Sequence, residues 1–172
     1  MILIALLLVI SGCGANNSTD DTTEAISLNQ VGEYSGAPYV YLNNNMPYFT
    51  DEEKENTKPF ENYSSLDDLG RCGVAFANIY KELMPTEERG PIGQIKPSGW
   101  HTVKYNGIID GNYLYNRCHL IGYQLTGENA NELNLITGTR YLNTEGMEGF
   151  ENTVGDYVAE MKNHVVWEDT KL

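Results

Sequence analysis

The sequence predicts an α+β fold built on a mixed, mainly antiparallel sheet. Short β-prone runs broken by Asn, Gly and Pro clusters occupy residues 38–115, one amphipathic stripe of helical period follows residue 143, and a last β-prone run closes the chain. With 172 residues, of which 41% are hydrophobic and 10% aromatic, the chain is long and apolar enough for a single core. No internal repeat and no second shift of composition divides it.

Residues 1–10 are almost wholly apolar and give way to Ser11-Gly12-Cys13-Gly14. Ten apolar residues are too few to span a bilayer as a helix, but they suit the h-region of a signal peptide, although the usual basic n-region is missing. Ile10-Ser11-Gly12-Cys13 resembles a bacterial lipobox, which makes residues 1–12 a lipoprotein-type signal peptide and Cys13 the acylated residue; an ordinary signal peptide is the alternative. Two or more acyl chains on Cys13 would anchor the protein stably, one only marginally. Residues 14–24, rich in Asn, Ser, Thr and Asp, read as flexible, so residues 13–33 form a tether and residues 34–172 the folded domain. The expected location is extracellular, lipid-anchored at the cell membrane or secreted.

Within the domain, residues 38–42 (PYVYL) are β-prone and Asn43-Asn44-Asn45 ends the run. Residues 52–58 form a charged loop or short helix. Residues 60–66 and 72–80 read as a hairpin about the turn Asp67-Asp68-Leu69-Gly70-Arg71. A helix over 74–84 remains open, because Ala75, Phe76, Ile79 and Leu83 also fit a period near 3.6. Prolines 85, 91 and 97 with glycines 90, 93 and 99 make a loop. Residues 100–105 alternate as a strand would, and Asn106-Gly107 and Asp110-Gly111 mark tight turns before Tyr113-Leu114-Tyr115. Met147, Phe150, Val154, Tyr157, Val158 and Met161 make the helical stripe, with Asn143 or Thr144 as N-cap and Glu145 and Glu148 as helix-start acids. Residues 164–167 (HVVW) end the sheet.

The net charge is −13, which argues against a polyanionic ligand, but the charge is uneven. Residues 20–68 carry 2 basic and 11 acidic side chains, residues 141–172 carry 2 and 7, and residues 71–140 carry 7 and 6. The middle is the only part that is not acidic, and a bound cation would add positive charge there. The two further cysteines, Cys72 and Cys118, would meet an oxidising compartment after export, where pairing depends on geometry that the sequence does not fix. Two thiols at that spacing do not make a structural zinc site.

The middle also carries the chemistry-bearing residues: Asn116-Arg117-Cys118-His119-Leu120, then Asn134, Asn143 and Glu151. A histidine takes protons near neutral pH, and an asparagine oxygen can hold a hard cation such as Mg²⁺, which keeps most of its own water and needs few protein ligands. Residues 115–123 (YNRCHLIGY), with Asn134-Leu135-Ile136-Thr137 and Arg140-Tyr141-Leu142-Asn143, resemble the DNA/RNA non-specific endonucleases of the ββα-metal (His-Me finger) superfamily. Within it the likeness is to the streptococcal secreted and DNA-entry nucleases. The resemblance covers about residues 34–164 and implies a ββα-metal core.

It further implies hydrolysis of DNA, and of RNA, by an endonuclease in which His119 is the general base, Asn143 holds Mg²⁺ (Mn²⁺ or Ca²⁺ being alternatives), and Glu151 orders the ion's waters. Asn116 and Cys118 stand where the common form of the motif has Asp and Gly; Asn116 keeps an acceptor and loses a charge. Arg117 has two roles open, pairing with phosphate or bracing the motif from behind. Asn134 matches an asparagine that supports the loop carrying the metal ligand, and Arg71 and Arg140 are candidate phosphate contacts. His101 and His164 read as structural or exposed. Partners expected are nucleic acid and, through Cys13, a membrane, with no protein partner. Relatives continue past the helix through further strands, so a C-terminally truncated, inactive homologue is one alternative function and a non-catalytic surface lipoprotein another.

Overall fold

The computed structural model of the chain describes residues 28–46, 48–161 and 165–169. Cys13, the signal segment, most of the tether and His164 lie outside the described residues. Among the described residues, no helix is long and apolar enough to cross a membrane.

The first helix, α1 (Asp51–Glu55), is short and capped at its start. The Thr50 hydroxyl accepts from the Glu53 amide at 3.2 Å, while the Glu53 carboxylate accepts from the Thr50 amide at 2.7 Å, so two orphan donors are satisfied reciprocally. Strands β1 (Phe60–Tyr63) and β2 (Ala75–Ile79) follow and pair antiparallel, Phe60 opposite Asn78. Their connection is the expected turn. Asp67 accepts from the amides of Leu69 and Arg71 at 3.0 and 2.9 Å, and Gly70 takes the left-handed φ of 69° that a β-carbon resists.

Tertiary burial settles β2 as a strand. Ala75, Ala77 and Ile79 are fully buried on one face, and Phe76 on the other packs against Phe60 and Phe49 with ring centroids 5.1 and 6.0 Å apart. Only a period of two serves both faces. The last strand, β5 (Val165–Asp169), pairs antiparallel with the free edge of β2, giving the order β1-β2-β5.

A second sheet of two strands joins β3 (Tyr115–His119) to β4 (Leu135–Thr139), antiparallel, with His119 opposite Leu135 and Asn116 opposite Gly138. The antiparallel pairing was expected; its division into two sheets was not. Between them the short helix α2 (Tyr123–Thr126) stops at Gly127, whose φ of 71° and amide bond to the Tyr123 carbonyl form a left-handed cap. The sequence reading missed α2, because four residues carry no period.

Helical backbone begins at Arg140, directly after β4, runs through a π-helical stretch, Leu142–Met147, and continues as α3 (Glu148–Met161). The expected N-cap at Asn143 or Thr144 is therefore wrong. The Thr139 hydroxyl accepts from the Leu142 amide at 3.0 Å and does that work, leaving Asn143 inside the helix. Within the wide turn the Glu148 amide bonds to the Asn143 carbonyl, five residues back.

Two expected strands are absent. Residues 38–42 form none; Tyr39 stacks on the helix instead, 4.9 Å from Phe150, edge to face, and Val40 and Tyr41 stay exposed. Residues 100–105 form only a single bridge, Lys104 to Tyr113, since Trp100 sits in a turn closed by its amide on the Pro97 carbonyl. The core lies between the first sheet and the α2–α3 pair, where Ile79, Ile121, Leu125 and Val158 are fully buried. Trp167 of β5 donates its indole N–H to the Leu120 carbonyl at 3.2 Å, tying the last strand to the residue after His119.

Candidate functional site

His119 ends β3, and two contacts fix its state. Nε2 lies 2.8 Å from the Asn129 carbonyl oxygen, which can only accept, so Nε2 carries the proton. Nδ1 lies 3.4 Å from Nη2 of Arg89, which can only donate, so Nδ1 presents a lone pair. The residue is 6% exposed. Burial holds its pKa below the ordinary histidine value; the Asn129 carbonyl opposes that, and the Arg89 charge adds to it. Both contacts and the lowered pKa favour a neutral imidazole whose free nitrogen is turned toward a cation.

Arg89 also lines an open cleft of about 590 Å³, together with Asn116, Arg117, Asn143, Trp100 and Tyr115. Lys96 is a third cation on its wall. The cleft therefore concentrates positive charge and aromatic rings on a chain that is acidic elsewhere. Such a combination suits phosphate groups and stacked bases.

Arg117 is held from behind. Its Nε donates to the Ile95 carbonyl at 2.5 Å, its Nη2 to the Gly93 carbonyl at 3.0 Å, and its guanidinium lies 3.7 Å from the Trp100 ring centroid. These contacts fix the loop between the prolines against β3. Asn116 and Asn143 line the same cleft.

Glu151 is positioned by α2. Gln124 donates to its Oε2 at 3.1 Å, and a β-carbon on Gly122 would fall 2.8 Å from that oxygen, so only glycine admits the carboxylate there. Burial raises the Glu151 pKa, the Gln124 bond opposes this, the Glu148 charge raises it further, and Arg89 lowers it. The Arg89 charge thus acts on both His119, which it touches at 3.4 Å, and Glu151. Along an unbroken α-helix, eight residues would turn Glu151 about 80° away from Asn143. The π turn absorbs one residue, which leaves an offset of about 20° and brings the two onto one helical face.

Asn134 is fully buried and clamps the backbone of Ile121, accepting from its amide at 2.9 Å and donating to its carbonyl at 3.0 Å. It therefore supports the segment after His119; the resemblance implied support of a loop carrying Asn143, and here β4 runs into the helix without such a loop. Arg71 and Arg140 do not line the cleft. Arg71 is paired with Asp67 at 2.7 Å in the hairpin turn, and Arg140 with Asp110 at 2.8 Å. Cys72 and Cys118 are both free thiols and buried, and desolvation pushes Cys118 up to about 12.

Arg89, Gln124 and the Asn129 carbonyl were missed in the sequence. Arg89 lies in a Pro- and Gly-punctuated loop with no motif of its own, and the Asn129 contact is made by backbone, which any residue could supply. The donor set fits a hydrated hard cation. Asn143 and Asn116 line the cleft, whereas Glu151 and His119 do not, and among the described residues no group of three or more His, Cys, Asp or Glu forms a cage that would strip the ion of water.

Comparison with curated proteins gives no match. Among solved structures, the fold is similar to NucA from Streptococcus agalactiae with magnesium bound, at 24% identity and a TM-score of 0.57 over 66% of this chain and 56% of that one. It is also similar to Sda1 nuclease with bound zinc, at 26% identity and a TM-score of 0.54 over 69% of this chain and 67% of that one. The chain thus spans little more than half the length of NucA. The antiparallel β3–β4 pair running into a helix is the ββα-metal arrangement. The model of the DNA/RNA non-specific endonucleases matches residues 49–169, most of the chain, and the protein belongs to that family.

Proposed function

We propose that the protein is a divalent-metal-dependent endonuclease that hydrolyses phosphodiester bonds in DNA and RNA without regard to the sugar, leaving 5′-phosphorylated ends. The observation that carries this reading is His119. Its proton is committed to the Asn129 carbonyl, and its lone pair faces Arg89 on the wall of the cleft that Asn143 lines.

In that reading Nδ1 of His119 takes a proton from the attacking water. Its depressed pKa keeps it unprotonated and ready at neutral pH. Arg89 and Lys96 hold the anionic phosphate in the cleft, and Arg117, with its donors on Gly93 and Ile95, fixes the loop that carries them. Asn116 lends its amide to the cleft beside the phosphate. Asn143 would hold the ion through its side-chain oxygen, and Glu151, aimed by Gln124, would order the hydration shell. A cation bound there supplies a Lewis acid for charge on the leaving 3′-oxygen. Mg²⁺ suits this donor set, and other divalent ions that accept oxygen could take its place. NucA with magnesium and Sda1 with zinc are the similar structures that support a divalent ion. Arg71 and Arg140 serve the scaffold in this scheme, since both are paired with carboxylates. The protein would act outside the cytoplasm, anchored through Cys13 or released.

The test is nicking of supercoiled plasmid by the full chain in Mg²⁺. His119→Ala and Asn143→Ala should each abolish it, as should a chelator. Undiminished cleavage by either variant overturns the assignment.

A further inference from the structure

The segment after the cleft wall forms a finger that the scheme above leaves unused. It runs over residues 103–114, joined at its base by the Lys104–Tyr113 bridge and by the Leu114 amide on the Val103 carbonyl at 3.0 Å. Its tip is built, not loose. The Tyr105 amide bonds to the Asn112 carbonyl at 2.8 Å, the Asn112 amide bonds to the Ile109 carbonyl at 2.8 Å, and the Asn112 side chain accepts from the Gly107 amide at 3.2 Å. Gly107, Gly111 and Asn112 all take positive φ, between 66° and 72°.

That rigid tip presents Ile108, 81% exposed, a higher fraction than any other large hydrophobic residue described. Tyr105 is 44% exposed, and Lys104 sits 4.6 Å over the Tyr113 ring. Exposure of a single isoleucine is ordinary; what sets Ile108 apart is that a hydrogen-bonded turn holds it at the end of a finger with Tyr105 and Lys104 beside it.

The finger is also fixed to the helix that bears Asn143. The Arg140 amide bonds to the Leu114 carbonyl at 2.7 Å, and its guanidinium holds Asp110 at 2.8 Å and packs on Gly111. Tyr113, at the finger's base, lines the cleft with Arg89 and Lys96. The base of the finger is thus part of the cleft wall, and the apolar tip is held at a set position relative to that base.

We propose that this finger is a duplex-contact element, in which Ile108 enters the minor groove of double-stranded nucleic acid and wedges at a base step while the backbone lies in the cleft. Apolar wedges beside basic side chains are how proteins grip duplexes without reading sequence. The proposal rests on the nucleic-acid substrate of the previous section. Charge favours this occupant over an anionic membrane, because the chain carries −13 overall and the cleft is where its cations converge.

The test measures binding, not cleavage. Fluorescence anisotropy with a labelled 20-base-pair duplex and the matching single strand, at low salt in EDTA, compares the full wild-type chain with Ile108→Ser and Ile108→Leu. Burying most of an isoleucine side chain predicts about a tenfold weaker duplex Kd for Ile108→Ser, a smaller change for the single strand, and near wild-type binding for Ile108→Leu. Because Ile108 is exposed, an unchanged melting temperature should accompany the loss. Equal duplex binding by wild type and Ile108→Ser overturns the proposal. So does an Ile108-dependent cosedimentation with phosphatidylglycerol vesicles alongside unchanged duplex binding. Ile108-dependent duplex binding by a wild-type chain that does not nick plasmid in Mg²⁺ would instead sink the nuclease reading and leave the finger standing.

Discussion

Replacing Asn134 by leucine should separate what the clamp on Ile121 contributes from what the side chain fills. Leucine is close in volume, so little cavity opens, but both hydrogen bonds to the Ile121 backbone are lost. Ile121 and position 134 are fully buried, and water has no ready access to the stranded amide and carbonyl. Each unsatisfied buried group costs about 1–3 kcal/mol, so the pair predicts a loss of about 2–6 kcal/mol. Against a total stability on the order of 5–15 kcal/mol for a domain, that is a large fraction. Urea unfolding of the full chain measures it, through a lower midpoint at an unchanged slope. Asn134→Asp should cost at least as much at neutral pH, because a buried carboxylate would face the Ile121 carbonyl, and should recover in part at low pH, where the acid form can donate to it. A leucine variant within about 0.5 kcal/mol of wild type at equal slope would refute the reasoning, since surface changes away from such features have effects of that size.

The acid limb of kcat/KM on DNA should fall below the ordinary histidine value of 6.5, because burial and Arg89 lower the pKa of His119. Stability follows the same sign: the contribution of neutral His119 is complete above the unfolded pKa and is lost as pH falls through the folded one. A limb above 6.5, or a His119 ring resonance titrating there, contradicts this. Gln124→Leu removes the donor at 3.1 Å that aims Glu151, and should raise the Mg²⁺ concentration for half-maximal cleavage on the order of tenfold with little change in melting temperature. An unchanged metal dependence would leave Gln124 no positioning role. Gly138→Ala would put a β-carbon 2.6 Å from Sγ of Cys118 and should destabilise by about 1–3 kcal/mol. The same change in a Cys118→Ala background should be much milder, and equal losses in both backgrounds would mean the collision is relieved elsewhere.

The sequence was readable wherever a local rule decides the outcome. Asp67 to Gly70 announced their turn through the chemistry of Asp and Gly, and the helical stripe from Met147 to Met161 announced its period. The neighbours of His119 marked it out as more than a stray histidine. Legibility failed where a distant partner decides. Residues 38–42 have strand-like composition, yet Tyr39 finds Phe150 and leaves the sheet. Ala75 and Phe76 fit either period until β1 and β5 cover both sides. Arg89 could not be singled out by its neighbours, because its relation to His119 spans thirty residues of loop and strand. The cap showed a subtler failure. Asn143 looked like a helix start because Asn favours that position, while Thr139, one residue before the helix, already held it.

The passage from β4 into the helix without a loop has a consequence for how the protein tolerates change in length. From Leu135, the partner of His119, the chain runs through strand and helix to Asn143 with no slack. One residue added between 139 and 143 would swing the Asn143 side chain by about 100° off its bearing. The link between His119 and Leu135 is of another kind, since it crosses irregular backbone between α2 and β4. Changes of length should therefore be tolerated better in its irregular part, between the Asn129 carbonyl and the Asn134 clamp, than in the eight-residue span after Leu135. Spacing, more than residue identity, is what a redesign of this scaffold must leave alone.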